Sequence, residues 1–308
     1  MNEIASPTAA AGAVLARQPK ARSVPEPVPL PDRGAAGDRA DIQLPVTIRR
    51  EPGLAMRRVR TVLTAWLVPL LLLVAWVAAS RWDWVPAVLL PAPQDVATTL
   101  YQEIASGDIA ANLGISLQRV FFGFGVGALL GLALGVAMGL SPLFKDYTYP
   151  VLHVFAQVPT LGWLPLLMLL VGIGEELKLV LVAKAVLVPV ALNALSGLEG
   201  VSKSYAEVAQ VFRFNRWQLL SKVIFPAALP PIWNGLRFGL TKAWLTLVAV
   251  ELLASSEGIG FMTAYARQLM QLDVVLSAVL VVGLVGWGLD RLLAAIETWL
   301  LRWRRGGY

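Results

Sequence analysis

The sequence predicts an all-α polytopic membrane protein with six transmembrane helices, and three observations carry that expectation. Hydrophobic residues make up 57% of the 308-residue chain and charged residues 15%, with a mean hydropathy of +0.65. A single soluble core cannot hide so much apolar surface. Several apolar runs reach the roughly 20 residues that a helix needs to cross hydrocarbon. The net charge of +6 sits mostly in the linkers between those runs. That pattern follows the positive-inside rule better than it suits a nucleic-acid surface, so no nucleic-acid partner is expected. With no cysteine, disulfides, thiolate metal sites and cysteine nucleophiles are excluded.

Residues 1–48 are rich in Ala, Pro, Arg and Asp and lack apolar periodicity. Such a segment buries too little surface to offset chain entropy, so residues 1–58 are predicted to be a disordered cytoplasmic tail. No apolar run follows the start closely enough to read as a secretory signal. Residues 59–308 form the expected transmembrane domain. Its spans are predicted at roughly 61–80, 115–140, 149–172, 176–197, 231–254 and 274–301. If the tail is cytoplasmic, Arg57, Arg58, Arg60, Lys145, Lys203, Arg213, Arg216, Lys222, Arg302 and Arg304 share its side. The opposite loops hold only Arg81 and Arg267, which predicts both termini inside. Between the first two spans, Pro91 and Pro93 break the chain, and Asp95 to Ile104 reads as a short amphipathic helix.

In the second span Gly123, Gly127, Gly131, Gly135 and Gly139 recur every four residues. One helix face is thereby a smooth ridge on which another backbone can lie, within the subunit in preference to across a dimer. The loop of residues 198–230 predicts two short amphipathic helices, with Val208, Val211 and Phe212 on one apolar face and Trp217, Leu220 and Ile224 on the next. Pro226 and Pro230 are expected to stop the second helix before the membrane.

Ionisable groups at membrane depth are costly and default to functional candidates. Arg119, Lys184, Arg237, Lys242 and Glu251 fall inside the predicted spans. Arg237, Thr241, Trp244, Val248 and Glu251 form one helical stripe. It either lines the route of a polar solute or carries end charges that snorkel to the interfaces. At about 1.5 Å per residue, Lys184 lies about 12 Å below one surface and Lys242 about 16 Å from the other, so they share a depth. They either suit an anionic solute or, for Lys184, pair with an acid such as Glu251. His153, the only histidine, has no ligand companions, so no metal is expected.

The loop from Glu207 resembles the coupling motif of ABC importer permeases, E-A-A-x3-G-x9-I-x-L-P. Glu207, Ala209, Leu229 and Pro230 occupy its landmarks, Val208 replaces its second position, and Arg213 stands where that family has glycine. Ser116-x-x-Arg119, Val158-Pro159, Gly172-Ile173-Gly174, Gly235-x-Arg237 and Gly258-Ile259-Gly260 are similar to permeases for aliphatic sulfonates, taurine and nitrate. The resemblance implies a type I (MetI-like) permease in the inner membrane that carries no cofactor. It implies a second copy of the chain, two copies of an ABC ATPase and an extracytoplasmic solute-binding protein as partners, with lipid around them. Glu207, Ala209, Arg213, Trp217, Leu229 and Pro230 would couple to the ATPase. Lys184, Arg237, Thr241, Trp244 and Glu251 would line the solute pathway. The chain holds no G-x-x-x-x-G-K-[ST] phosphate cradle, so ATP hydrolysis is expected in another subunit and catalysis in none of these residues. An ion-coupled secondary transporter would show internal repeats with broken helices, and none is evident. A membrane enzyme would need facing His, Asp, Glu or Ser groups, which the scattered carboxylates do not make.

Overall fold

The computed structural model describes residues 54–302, so the predicted tail lies outside the described residues up to position 53. The described chain is helical, without strands among the described residues. It runs α1 (Leu54–Arg81), α2 (Pro93–Ser106), α3 (Asp108–Leu140), α4 (Pro142–Gln157), α5 (Leu164–Val171) and α6 (Glu175–Glu199). Then follow α7 (Lys203–Val211), α8 (Arg216–Leu219), α9 (Phe225–Ala254), α10 (Ile259–Gln268) and α11 (Leu272–Leu300).

The helices α3, α6 and α11 are each long and apolar enough to cross a membrane unbroken. Two more spans arise if the bent pairs Pro142–Gln157 with Thr160–Val171 and Trp217–Ala254 with Ile259–Gln268 each count as one. Leu67–Arg81 adds a shorter apolar helix, and its residues Leu67 to Val74 are exposed on every face. That surface suits lipid and not water.

Where hydropathy predicts one straight span over 149–172, the chain bends by 94°. Pro159 has no N–H to continue α4, and it forces Val158 into extended backbone (φ −84°, ψ 118°). The chain restarts as the turn Thr160–Trp163 before α5.

The centre of the molecule is α6, gripped from two sides by helices that present glycine. Gly123, Gly127, Gly131 and Gly135 of α3 are buried. A Cβ at Gly131 would stand 2.6 Å from the Leu187 carbonyl oxygen, and one at Gly135 2.5 Å from that of Ala191. The ridge therefore serves packing inside the subunit. On the other side, a Cβ at Gly235 of α9 would meet the Asn193 Cβ at 2.6 Å. Val182, Val186, Val190, Leu240 and Leu247 fill the seam between the three helices.

The amphipathic α2 forms as expected, with Pro93 in its first turn, where a missing N–H is harmless. It docks on the start of α11: Ser277 Oγ donates to the Val96 carbonyl at 3.1 Å and Thr99 Oγ1 to Asp273 at 2.7 Å.

Replacing Gly131 by Leu should abolish assembly, because a backbone occupies the space the side chain needs. Gly125, with nothing within 4 Å of its would-be Cβ, should accept Ala without loss. Size-exclusion profiles of the detergent-extracted variants, compared with the parent, separate the two.

Candidate functional site

Three sites emerge from this scaffold. The loop after α6 carries exposed apolar side chains at one end of the molecule. Val211 is 81% exposed, Phe212 70% and Trp217 73%, whereas Ala209 is buried at 4%. Glu207 is exposed, and Leu229 and Pro230 are partly buried at the start of α9. The turn between α7 and α8 is tight: Arg213 adopts φ +51°, and the Phe214 N–H donates to the Ala209 carbonyl at 2.9 Å. This is a Schellman ending with arginine in the left-handed position that normally goes to glycine. The next helix opens on a reciprocal cap. Gln218 N–H donates to Asn215 Oδ1 at 2.7 Å, and Asn215 N–H donates to Gln218 Oε1 at 3.0 Å. The Val208 side chain lies outside the described residues.

The prolines do not stop the helix as expected. A π-helical turn, Leu220–Ile224, joins α8 to α9, which runs on with Pro226 in its first turn and Pro230 and Pro231 inside. The wider turn lets the chain advance past nitrogens that have no hydrogen to give.

The second site is a buried ionic cluster where α3, α6, α9 and α10 meet. Arg119 is 5% exposed and Glu251 1%. Arg119 donates Nη1 to Glu251 at 2.9 Å and to the Glu257 carbonyl at 2.9 Å. Its Nε and Nη2 grip Glu175 at 2.6 and 2.5 Å, and Lys178 reaches the same carboxylate at 2.7 Å. Ser116 Oγ and the Gly260 N–H also donate to Glu251, at 2.8 and 3.1 Å. The close approach requires Gly258, at φ +105°, where a Cβ would collide with the Glu251 carboxylate. Both carboxylates are paired: burial demands it of Glu251, while the half-exposed Glu175 is held by Arg119 and Lys178.

The third site is a groove between α6 and α9. A cavity of about 420 Å³ is lined by Lys184, Val188, Leu192, Asn193, Phe238 and Lys242, among others. A second, of about 970 Å³, follows toward the α7–α8 loop and includes Asn193, Tyr205, Lys222 and Asn234. Lys184 donates to the Val158 carbonyl at 3.0 Å and lies 5.3 Å from the Trp163 ring. The proline break at Val158 frees that carbonyl from its helix, so the bend and the lysine's position are linked.

The predicted stripe on α9 does not line this groove. Trp244 is 3% exposed, with its indole N–H donated to the Val282 carbonyl at 3.1 Å. Arg237 forks onto Asp290 at 2.7 and 2.8 Å and reaches Glu297 at 3.5 Å. Together with Thr241 these residues face α11, and Glu251 turns to Arg119. Charges and indoles at this depth are drawn to partners, and the neighbouring helices supply them. The groove uses the adjacent face, Ala227, Pro231, Asn234, Phe238 and Lys242. A Lys184–Glu251 pair is likewise replaced: Arg119 takes Glu251. Sequence reasoning gave no role to Glu175, Lys178, Asn193, Asp290 or Glu297. Asp290 could have been found, since an acid well inside an apolar helix calls for a basic partner. His153 lies 3.4 Å from the Gln157 amide nitrogen and beside the Tyr149 ring.

Residues 109–305 match the family described as "Binding-protein-dependent transport system inner membrane component". A permease protein of Bacillus subtilis named for aliphatic sulfonates transport, SsuC, is 37% identical over 83% of this chain and 92% of its own. The taurine transport system permease protein TauC of Escherichia coli is 35% identical over 75% of this chain and 86% of its own. Among solved structures, an amino acid ABC transporter with histidines aligns with a TM-score of 0.52 at 17% identity, covering 64% of this chain and 96% of that one. That likeness speaks for the fold.

Arg119→Met should cost about 3–5 kcal/mol, since it strands the buried Glu251 carboxylate. Arg119→Met combined with Glu251→Gln should recover part of the loss, read as the thermal midpoint of the purified protein. Arg213→Gly should raise stability by about 1 kcal/mol, the usual penalty of a side chain in the left-handed region. Slower amide exchange in α7 and α8 would register it.

Proposed function

The chain belongs to the family of binding-protein-dependent transport system inner membrane components, and on that premise we propose that it is the permease subunit of an ATP-binding cassette importer for a small organic anion, an aliphatic sulfonate or taurine. The substrate class follows the names of its relatives SsuC and TauC. Two copies of the chain form the pathway, and a solute-binding protein delivers to them from outside. Two ATPase subunits dock on the two α7–α8 loops. Both termini face the cytoplasm, in keeping with the side on which lysine and arginine collect.

The observation that carries this proposal is the loop. Val211, Phe212 and Trp217 hold apolar surface outward from the loop after α6 on two short helices with well-formed caps. A knob of this kind fits a groove on another protein. ATP-driven closure of the ATPase pair moves Glu207, Ala209, Arg213 and Trp217 as a unit. The π turn and the proline-bearing start of α9, with Leu229 and Pro230, pass that motion to the helix that borders the groove. The groove then opens alternately to the two sides, a two-state change biased from one end. Lys184 belongs to the pathway. Arg237, Thr241, Trp244 and Glu251 keep α9 in register with α11, α3 and α10, so that the groove face stays aligned.

Glu207→Lys, a reversal on an exposed face, should leave the permease folded and membrane-inserted while uncoupling ATP turnover from uptake. Proteoliposomes holding the permease, its ATPase and binding protein provide both readings. Parental transport-dependent ATP turnover in the variant would refute the coupling role of the loop.

A further inference from the structure

The groove between α6 and α9 has a chemistry that narrows the solute. Its α9 wall is a regular stripe: Ala227, Pro231, Asn234, Phe238 and Lys242 step by three or four residues and face α6. Among the described residues Lys184 and Lys242 are the only charged side chains on the smaller cavity. Each is positioned by an aromatic ring: Lys184 lies 5.3 Å from Trp163, and Lys242 5.3 Å from Phe238. Trp163 is itself stacked on Phe155 at 5.0 Å. Neither lysine has an acid within ion-pair distance among the described residues, a condition shared by Arg291 beside the Trp287 ring, whereas Arg119, Lys178 and Arg237 are each paired.

The remaining walls are Phe155, Val158, Val188, Leu192 and Phe238, with Asn193 at the step into the larger cavity. A volume of about 420 Å³ falls in the range of small-organic-ligand pockets, roughly 300–1,000 Å³. Among the residues that line it there is no carboxylate. An ammonium group entering would find two like charges and nothing to neutralise it.

We propose that this groove binds an amphiphilic organic monoanion without an ammonium group, a simple alkanesulfonate in preference to taurine. The acid head lies between Lys184 and Lys242, and the carbon chain on Val188, Leu192 and Phe238. The assignment rests on the permease function proposed for the chain and selects within its substrate class. Asn193 marks the exit. Its amide donates to the Pro189 carbonyl at 2.8 Å, and its side-chain oxygen accepts from Asn234 at 3.4 Å. A solute leaving the lysines passes this pair before it meets Lys222, Tyr205 and Glu297, the last already engaged by Arg237, in the larger cavity. Both amides are free to exchange one hydrogen bond for another with a passing sulfonate oxygen.

The test uses the intact permease–ATPase complex in detergent, without binding protein, so that the permease's own site is read. Saturation-transfer NMR with ethanesulfonate, butanesulfonate and taurine measures weak binding directly. Ethanesulfonate and butanesulfonate should bind, and taurine about tenfold or more weaker. Lys184→Met and Lys242→Met should each weaken ethanesulfonate by a similar factor, and Lys184→Arg and Lys242→Arg should restore it. Val188→Phe should weaken butanesulfonate more than ethanesulfonate. Taurine binding equal to ethanesulfonate, parental binding by both methionine variants, or equal effects of Val188→Phe on both chain lengths would overturn the assignment. So would absence of binding in a complex that still imports sulfonate into proteoliposomes, and the permease function would then stand. A reconstituted system with no ATP-dependent uptake of any solute would instead overturn the permease function itself.

Discussion

Everything in this molecule hangs on how closely α3 and α9 can approach α6. In hydrocarbon, apolar side chains gain little by leaving lipid for each other, so helices associate through close contact. The glycines of α3 bring backbone to backbone along three turns of α6. On the far side Gly235 and Gly239 of α9 make room for the α6 side chains Asn193, Val186 and Val190. α6 is thereby held between two helices, and its third face, with Lys184, Val188 and Leu192, is left to border a cavity. The groove is what remains when two of three faces are used for packing.

Polar chemistry then divides by place. On the packed faces charge is matched: the buried Arg119 joins α3 to α6, α9 and the turn before α10 through Glu175, Glu251 and the Glu257 carbonyl. Arg237 ties α9 to α11 through Asp290. Removing one partner of the buried Arg119–Glu251 pair is far more damaging than the pair is stabilising, which makes it effective at fixing helix register. In the groove the opposite holds. Two lysines rest on aromatic faces and a backbone carbonyl, contacts weak enough to exchange for a solute.

The irregular segments are also tied to position. The Val158–Pro159 break turns the chain by 94° and supplies the carbonyl that holds Lys184. The π turn before α9 joins the exposed loop to the helix that carries the groove face. Arg213 at φ +51° shows that the tight turn survives without glycine, at the cost of local strain.

The sequence by itself determined the class of the molecule, the amphipathic α2, the glycine ridge, and a loop of two short helices between the fourth and fifth predicted spans. These are local properties: hydropathy over roughly 20 residues, a four-residue repeat and turn chemistry act within one stretch of chain. Spacing alone likewise predicted a common depth for Lys184 and Lys242, and the two line one cavity. What spacing could not reveal is which face of α9 meets which neighbour. Arg237, Thr241, Trp244 and Glu251 share a stripe in sequence, but rotation of α9 against α11 and α3 sends them to Asp290, Val282 and Arg119. Those partners lie between 38 and 132 residues away, beyond any periodicity. Only the tertiary structure decided that the buried Arg119 would find an acid while Lys184 and Lys242 have none among the described residues, because pairing depends on the rotation of whole helices about their axes.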